Sequence, residues 1–255
     1  MARASALPTR EPTAAPTLPD AAKVAGWGMV FWAATQLAAN VFARNATAAV
    51  AVQAALAEWG AGRMAISWSD PLAPMPTWQQ IARRAGKGAA LGVGVAVLAV
   101  GAALAGGAAV VAERTFGVGL LGIGLLVALL SAVRDELLVR GVVLRATRGL
   151  LPWWASLLAC GACAAAARFG LEGTLGLGLA IEGLRGVALG ALWVRDRGAW
   201  MAIAANAGWT WTLGSLAHGG LLDVRFVGQG EANVPAALVV AAAAIAAVLW
   251  ARRRL

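Results

Sequence analysis

This chain has little charge for its length. Only 13% of its 255 residues are charged while 60% are hydrophobic. A soluble domain carries about 25% charged residues, so water is excluded as the solvent for most of the chain. Mean hydropathy is +0.74. Strict apolar/polar alternation is also missing, which excludes the strands of a membrane barrel. The apolar runs approach the ~20 residues with which a helix crosses a ~30 Å hydrocarbon core, where only helices or closed barrels satisfy the backbone. The expected fold is therefore all-α, a polytopic transmembrane helix bundle of about seven spans, within a range of six to eight.

Metal-binding residues are nearly absent. There is one histidine, His218, and there are two cysteines, Cys160 and Cys163. A zinc centre usually takes several nitrogen or sulfur ligands, so neither a metal nor another cofactor is expected. The Cys-x-x-Cys pair can be a redox or metal motif. In an alanine-rich apolar helix it reads instead as two small buried thiols. His218 reads as an end-of-helix residue. No strand precedes Gly186-x-x-x-Gly190, which makes it a helix-packing device and not a phosphate loop. No apolar core follows the first charges, so an ordinary cleaved signal peptide is not expected.

The charge that is present is strongly basic, net +9 with a pI near 11.4. It sits at the ends of hydrophobic runs and not in one stripe. This fits loops that obey the positive-inside rule better than a nucleic-acid surface. The expected partners are the lipid bilayer and a membrane-embedded protein or peptide, with no nucleic acid.

Three regions follow along the chain. Residues 1–23, with Pro8, Pro12, Pro16 and Pro19, read as a disordered tail. Residues 24–88 hold a first span (24–43) with Trp27 and Trp32 as interfacial anchors. After it come a stretch (45–59) suited to an amphipathic surface helix and a segment broken by Pro71, Pro74 and Pro76. The region ends in a basic cluster of Arg83, Arg84 and Lys87. Residues 89–255 form the helical core, with spans at 89–112, 115–133, 154–169, 174–194, 199–216 and 236–251. If Arg252, Arg253 and Arg254 are cytoplasmic, alternation also places Arg195, Arg197, the 134–148 segment and the Arg83 cluster inside. The N-terminal tail then lies outside, unless the 45–59 stretch re-enters or spans. The expected location is the bacterial inner membrane, multi-pass, with a cytoplasmic C-terminus.

Ionisable groups at membrane depth cost a few kcal/mol each on insertion scales, about 2.5–3.5 at a helix centre, and so mark candidate sites. They concentrate at Arg134-Asp135-Glu136-Leu137-Leu138-Val139-Arg140-Gly141. On a helix Glu136 and Arg140 share a face, whereas Asp135 is rotated by about 100° from Glu136. Two readings stand side by side. The segment is a loop helix with a surface ion pair worth about 0.5 kcal/mol, or one acid is tied to the arginine while the other faces a cavity. Glu182 and Arg185 either neutralise each other inside the bundle or line a substrate path.

The run from Asp135 to Leu144, DELLVRGVVL, resembles the Glu-Glu-x-x-x-Arg-Gly signature of the CPBP family of glutamic intramembrane proteases, which includes the CAAX-processing endoprotease. Phe169 falls where the family has Phe-x-x-x-His. Residues 186–200, GVALGALWVRDRGAW, resemble its Gly-x-x-x-Gly helix and charged turn, and 201–210 falls at its His-x-x-x-Asn. The resemblance covers about residues 128–216. It implies an acid that activates water and donors that support the oxyanion. Carried over by position, the catalytic set is Asp135, Glu136, Arg140, Asn206 and Thr210, with Phe169 and Glu172 toward substrate. Here Asp135 replaces the first glutamate, Gly173 and Asn206 stand at the histidine positions, and Thr210 stands at the asparagine. Asn206 and Thr210 share a helix face and both donate hydrogen bonds. Glu172 is the nearest candidate to replace the first histidine, or else it pairs with Arg168.

The resemblance implies an intramembrane endopeptidase for membrane-anchored segments such as the C-terminal sorting signals of myxosortase-like relatives. The alternatives are a catalytically inactive relative that binds or escorts membrane peptides, and a small membrane transporter. In either of the first two cases Asp135 and Glu136 should face a cavity close to Asn206 and Thr210.

Overall fold

The computed structural model describes residues 17–69, 74–112, 118–172, 176–216, 222–227 and 233–253. Helix starts are set by capping chemistry. Thr17 and Asp20 form a capping box before α1 (Leu18–Val41), and Asn45 accepts the Ala48 N–H to start α2 (Ala46–Arg63). Thr77 and Gln80 form a second box before α3 (Trp78–Ala105), and Asn233 caps α9 (Val234–Arg252). The Asn45, Thr77 and Asn233 oxygens each satisfy a backbone donor that the first helical turn leaves unpaired.

Between them lie α4 (Val118–Asp135), α5 (Val142–Thr147), α6 (Trp153–Glu172), α7 (Leu177–Asp196) and α8 (Trp200–Trp211). A π-helical turn, Glu136–Gly141, joins α4 to α5 without a break, and a second, Thr212–Leu216, extends α8. Counting α4, its π-turn and α5 as one, the described residues form eight long helical segments. Of these, α3, α7 and α9 are long and apolar enough to cross a membrane by length and composition.

Several boundaries differ from the sequence reading. The tail was drawn to residue 23, but α1 already begins at Leu18. The span drawn as 89–112 starts earlier, at Trp78, and stops at Ala105. Residues 109–111 form instead a short strand, β1 (Ala109–Val111), paired antiparallel with β2 (Val224–Phe226). The 45–59 stretch is not a surface helix. Ala57 and Ala61 of α2 are fully or almost fully buried, and they share one core with Phe31, Leu137, Leu189 and Ala202. That core runs across the division drawn at residues 88 and 89. Cys160 is buried as expected, whereas Cys163 is exposed. His218, Gly173 and Pro71 lie outside the described residues.

Contacts between loops define the two ends of the bundle. At one end Arg84 pairs with Asp196 at 3.4 Å, Arg195 stacks over Trp250 at 4.7 Å, and Ser69 bridges Gly198. Asp20 at the start of α1 lies within electrostatic range of Arg145 at the end of α5. The basic segments read from the sequence therefore meet at one end. Because α2 runs back across the bundle, the start of α1 belongs to that end too, the alternative left open for a 45–59 stretch that spans. The other end carries the β1–β2 ribbon, with Gly106 against Pro235.

Small residues set the closest helix contacts. A Cβ at Gly88 would meet the Met201 carbonyl, and one at Gly92 the Ala205 carbonyl, so α3 and α8 touch backbone to backbone. Gly186 does the same for α7 against the Cys160 carbonyl of α6 at 2.8 Å. Such contact replaces the hydrophobic drive that lipid removes. Gly92→Val is expected to lower stability by about 1–3 kcal/mol through overpacking. Gly94→Ala, whose Cβ meets nothing within 4 Å, is expected to be neutral or stabilising, since alanine favours helix by about 1 kcal/mol. Thermal-shift midpoints in detergent check both.

Candidate active site

The π-turn is where the acidic motif sits. Insertions of this kind inside α-helices occur frequently at functional sites. All six residues from Glu136 to Gly141 are buried. The reading of Glu136 and Arg140 as a surface ion pair is therefore replaced: their side chains are 0% and 3% exposed and lie 3.3 Å apart.

Three helices supply the partners of Glu136. Arg140 Nη1 and Asn206 Nδ2, the latter at 2.9 Å, both approach Oε1, and Trp193 Nε1 donates to Oε2 at 2.9 Å. A buried carboxylate is tolerable only when paired and hydrogen-bonded, and this one has both kinds of partner. The motif glycine adds room: a Cβ at Gly141 would crowd Ile66 at 2.9 Å and the Glu136 carbonyl at 3.2 Å. Two polar atoms in the cluster, Arg140 Nε and Asn206 Oδ1, are buried without a hydrogen-bond partner among the described residues.

Asp135 points to a different set of partners. Arg134 Nε donates to its Oδ1 at 2.7 Å, and the pair is about one-fifth exposed. Arg134 is itself held from the N-terminal hairpin. Its Nη1 donates to Gln53 Oε1 at 2.7 Å, Gln53 Nε2 donates to the Thr35 carbonyl at 3.1 Å, and the guanidinium lies 5.8 Å from the Trp32 ring centroid. The two acids, adjacent in sequence, thus serve separate networks.

Of the candidates named from sequence, the fold brings together Glu136, Arg140 and Asn206. Asp135 stands beside them but faces α2. Thr210, one turn beyond Asn206, lines a cavity of about 250 Å³ with Arg168, Glu182 and Arg185. The side chains of Phe169 and Glu172 lie outside the described residues. Among the described residues no group of His, Cys, Asp and Glu could hold a metal ion. Trp193 was missed from sequence. Its one signal was position, seven residues beyond the Gly186 packing motif and just ahead of the charged turn.

Residues 117–212 match the Rce1-like family, described as type II CAAX prenyl endopeptidase Rce1-like. This segment, less than half of the chain, is similar to the CPBP family. No curated protein and no solved structure matches the chain. The matched segment begins just before α4 and ends with α8, so it contains Glu136 and every partner of its carboxylate. The hairpin that holds Arg134, together with α3 and α9, lies outside it. Within the matched segment, Trp193→Phe removes one donor to a buried carboxylate while keeping an aromatic ring at the position. It is expected to cost about 1.5–3 kcal/mol, read as a lower thermal-shift midpoint.

Proposed function

We propose that this chain is an intramembrane endopeptidase that cuts a membrane-anchored peptide segment, such as a C-terminal sorting signal, on the bacterial inner membrane with its C-terminus in the cytoplasm. The observation that carries the reading is the Glu136–Arg140–Asn206 cluster. It joins the two motif helices, α4 with its π-turn and α8, through groups that are 70 residues apart. In this proposal the two acids divide the work. Glu136 has its charge and both oxygens taken by Arg140, Asn206 and Trp193, so it acts as the positioning centre.

Asp135 keeps one carboxylate oxygen free of protein hydrogen bonds among the described residues and retains some exposure. It is the acid with access to water. Turned from Arg134, it takes a proton as the water oxygen adds to the scissile carbonyl. The second N–H of Asn206 supplies a donor for the oxyanion. The same proton then passes to the leaving amine as the carbon–nitrogen bond breaks. General-base and oxyanion contributions of this kind are each worth roughly 10²–10⁴-fold and 10²–10³-fold.

A second reading is a relative that binds membrane peptides without turnover. The closed shell of Glu136 and the pairing of Asp135 with Arg134 favour it. Purified protein in detergent, mixed with peptides bearing an apolar C-terminal helix and a basic tail, separates the two. Product of one defined cleavage by mass spectrometry supports the endopeptidase. Saturable binding with intact peptide supports the binder, and neither result rejects both.

A further inference from the structure

The cavity beside Thr210 is distinct from the Glu136 cluster, since neither Glu136 nor Asn206 lines it. It opens between α3, α6, α7, α8 and α9. Phe226 of β2 and Ala236 in the first turn of α9 place it toward the ribbon end, opposite the basic loops. Asn206, by contrast, lies about 9 Å along α8 from Trp200 at the basic end, at ~1.5 Å per residue. The two polar centres of the bundle thus sit at different depths.

Its walls are of two kinds. Ala99, Val100, Ile181 and Leu213 are apolar, while Arg168, Arg185 and Glu182 form one charged group. Arg185 Nη2 pairs with Glu182 at 3.1 Å, and Arg168 Nη1 lies 3.9 Å from the same carboxylate. Both guanidinium groups thus reach the Glu182 carboxylate. The Arg185 Nε is buried without a hydrogen-bond partner among the described residues. Arginine presents five donors in a rigid fork that suits carboxylate and phosphate oxygens. At about 250 Å³ the space is below the usual range for a drug-sized ligand, roughly 300–1,000 Å³, so it suits a headgroup with a short length of chain.

We infer that this cavity binds an anionic amphiphile, its carboxylate or phosphate oxygens on Arg185 and its apolar chain along the Ile181 and Leu213 wall. The site holds whether or not the chain cleaves peptides, because its test reads binding alone. Glu182 tunes the site: it orients Arg185 and also repels the ligand's negative charge.

The experiment is equilibrium binding of radiolabelled dodecanoate and dodecyl phosphate to the full chain in phosphatidylcholine nanodiscs. Dodecanol and inorganic phosphate serve as competitors. Both amphiphiles should bind saturably, with the tighter one naming the headgroup, and both competitors should displace them only at far higher concentration. Arg185→Gln should weaken binding about tenfold or more, as expected for a lost charge-assisted hydrogen bond. Glu182→Gln should tighten it several-fold. These opposite shifts separate electrostatics from misfolding, which would weaken binding in both variants. Equal displacement by dodecanol overturns the anion site, and equal displacement by inorganic phosphate overturns the amphiphile. Shifts of the same sign in the two variants overturn the role of the charges.

Discussion

Glu136→Ala is expected to destabilise the protein by about 3–5 kcal/mol. The change leaves Arg140, 2% exposed, without its counter-ion in an apolar interior. Breaking one side of a buried ion pair costs that much because the remaining charge is stranded, which exceeds the net worth of the pair. It also strips the acceptor from Trp193 Nε1 and Asn206 Nδ2. Glu136→Gln keeps the shape and one acceptor oxygen, so its loss should be smaller. Replacing both partners, Glu136→Leu with Arg140→Met, should recover much of the stability while abolishing any function that depends on the cluster. Thermal-shift midpoints across this set measure the ordering. A midpoint for Glu136→Ala equal to wild type would mean that the carboxylate is not the anchor described here.

The second large effect concerns turnover. Asp135→Asn removes the proposed base while preserving size, and is expected to lower the cleavage rate by about 10²–10⁴-fold with little change in melting temperature. The arrangement around Asp135 adds a prediction of opposite sign. Arg134 holds the carboxylate and is held in turn by Gln53, whose side chain is buried on α2. If Asp135 must leave Arg134 to meet water, the pair stabilises the resting state more than the reacting one. Arg134→Gln should then raise the rate, by about tenfold for each ~1.4 kcal/mol of interaction released. Gln53→Leu should act in the same direction and more weakly. An N-terminal hairpin outside the matched segment would thereby set how readily the acid is released.

Much of the helical bundle was readable because it depends on local chemistry. The apolar runs and the basic residues at helix ends are properties of neighbouring residues. The acidic motif was readable as well, since Glu136 and Arg140 lie one turn apart. Features that depend on distant segments were not. The β1 strand hides inside a continuous apolar run, and only its pairing with residues near 225 makes it a strand. Helix α2 carries Gln53 and Glu58 within an alanine-rich stretch, which reads as amphipathic until the hydrogen bond of Gln53 to Arg134 accounts for the polar residue. The continuation of α4 through the charged 134–148 segment was obscured because charge normally ends a span, and here the buried Glu136 is met by Arg140 one turn on and by Trp193 and Asn206 from two other helices. Trp193 donates across 57 residues of sequence, and no periodicity within its own helix announces that role.

The division of labour between adjacent acids is the central claim, and one paired measurement tests it most directly. Cleavage rate and melting temperature are recorded together for wild type, Asp135→Asn and Glu136→Gln, with a peptide carrying an apolar C-terminal helix and a basic tail. The account predicts that Asp135→Asn loses cleavage and keeps its melting temperature, while Glu136→Gln loses melting temperature. Full cleavage by Asp135→Asn, or an unchanged melting temperature in Glu136→Gln, would contradict it.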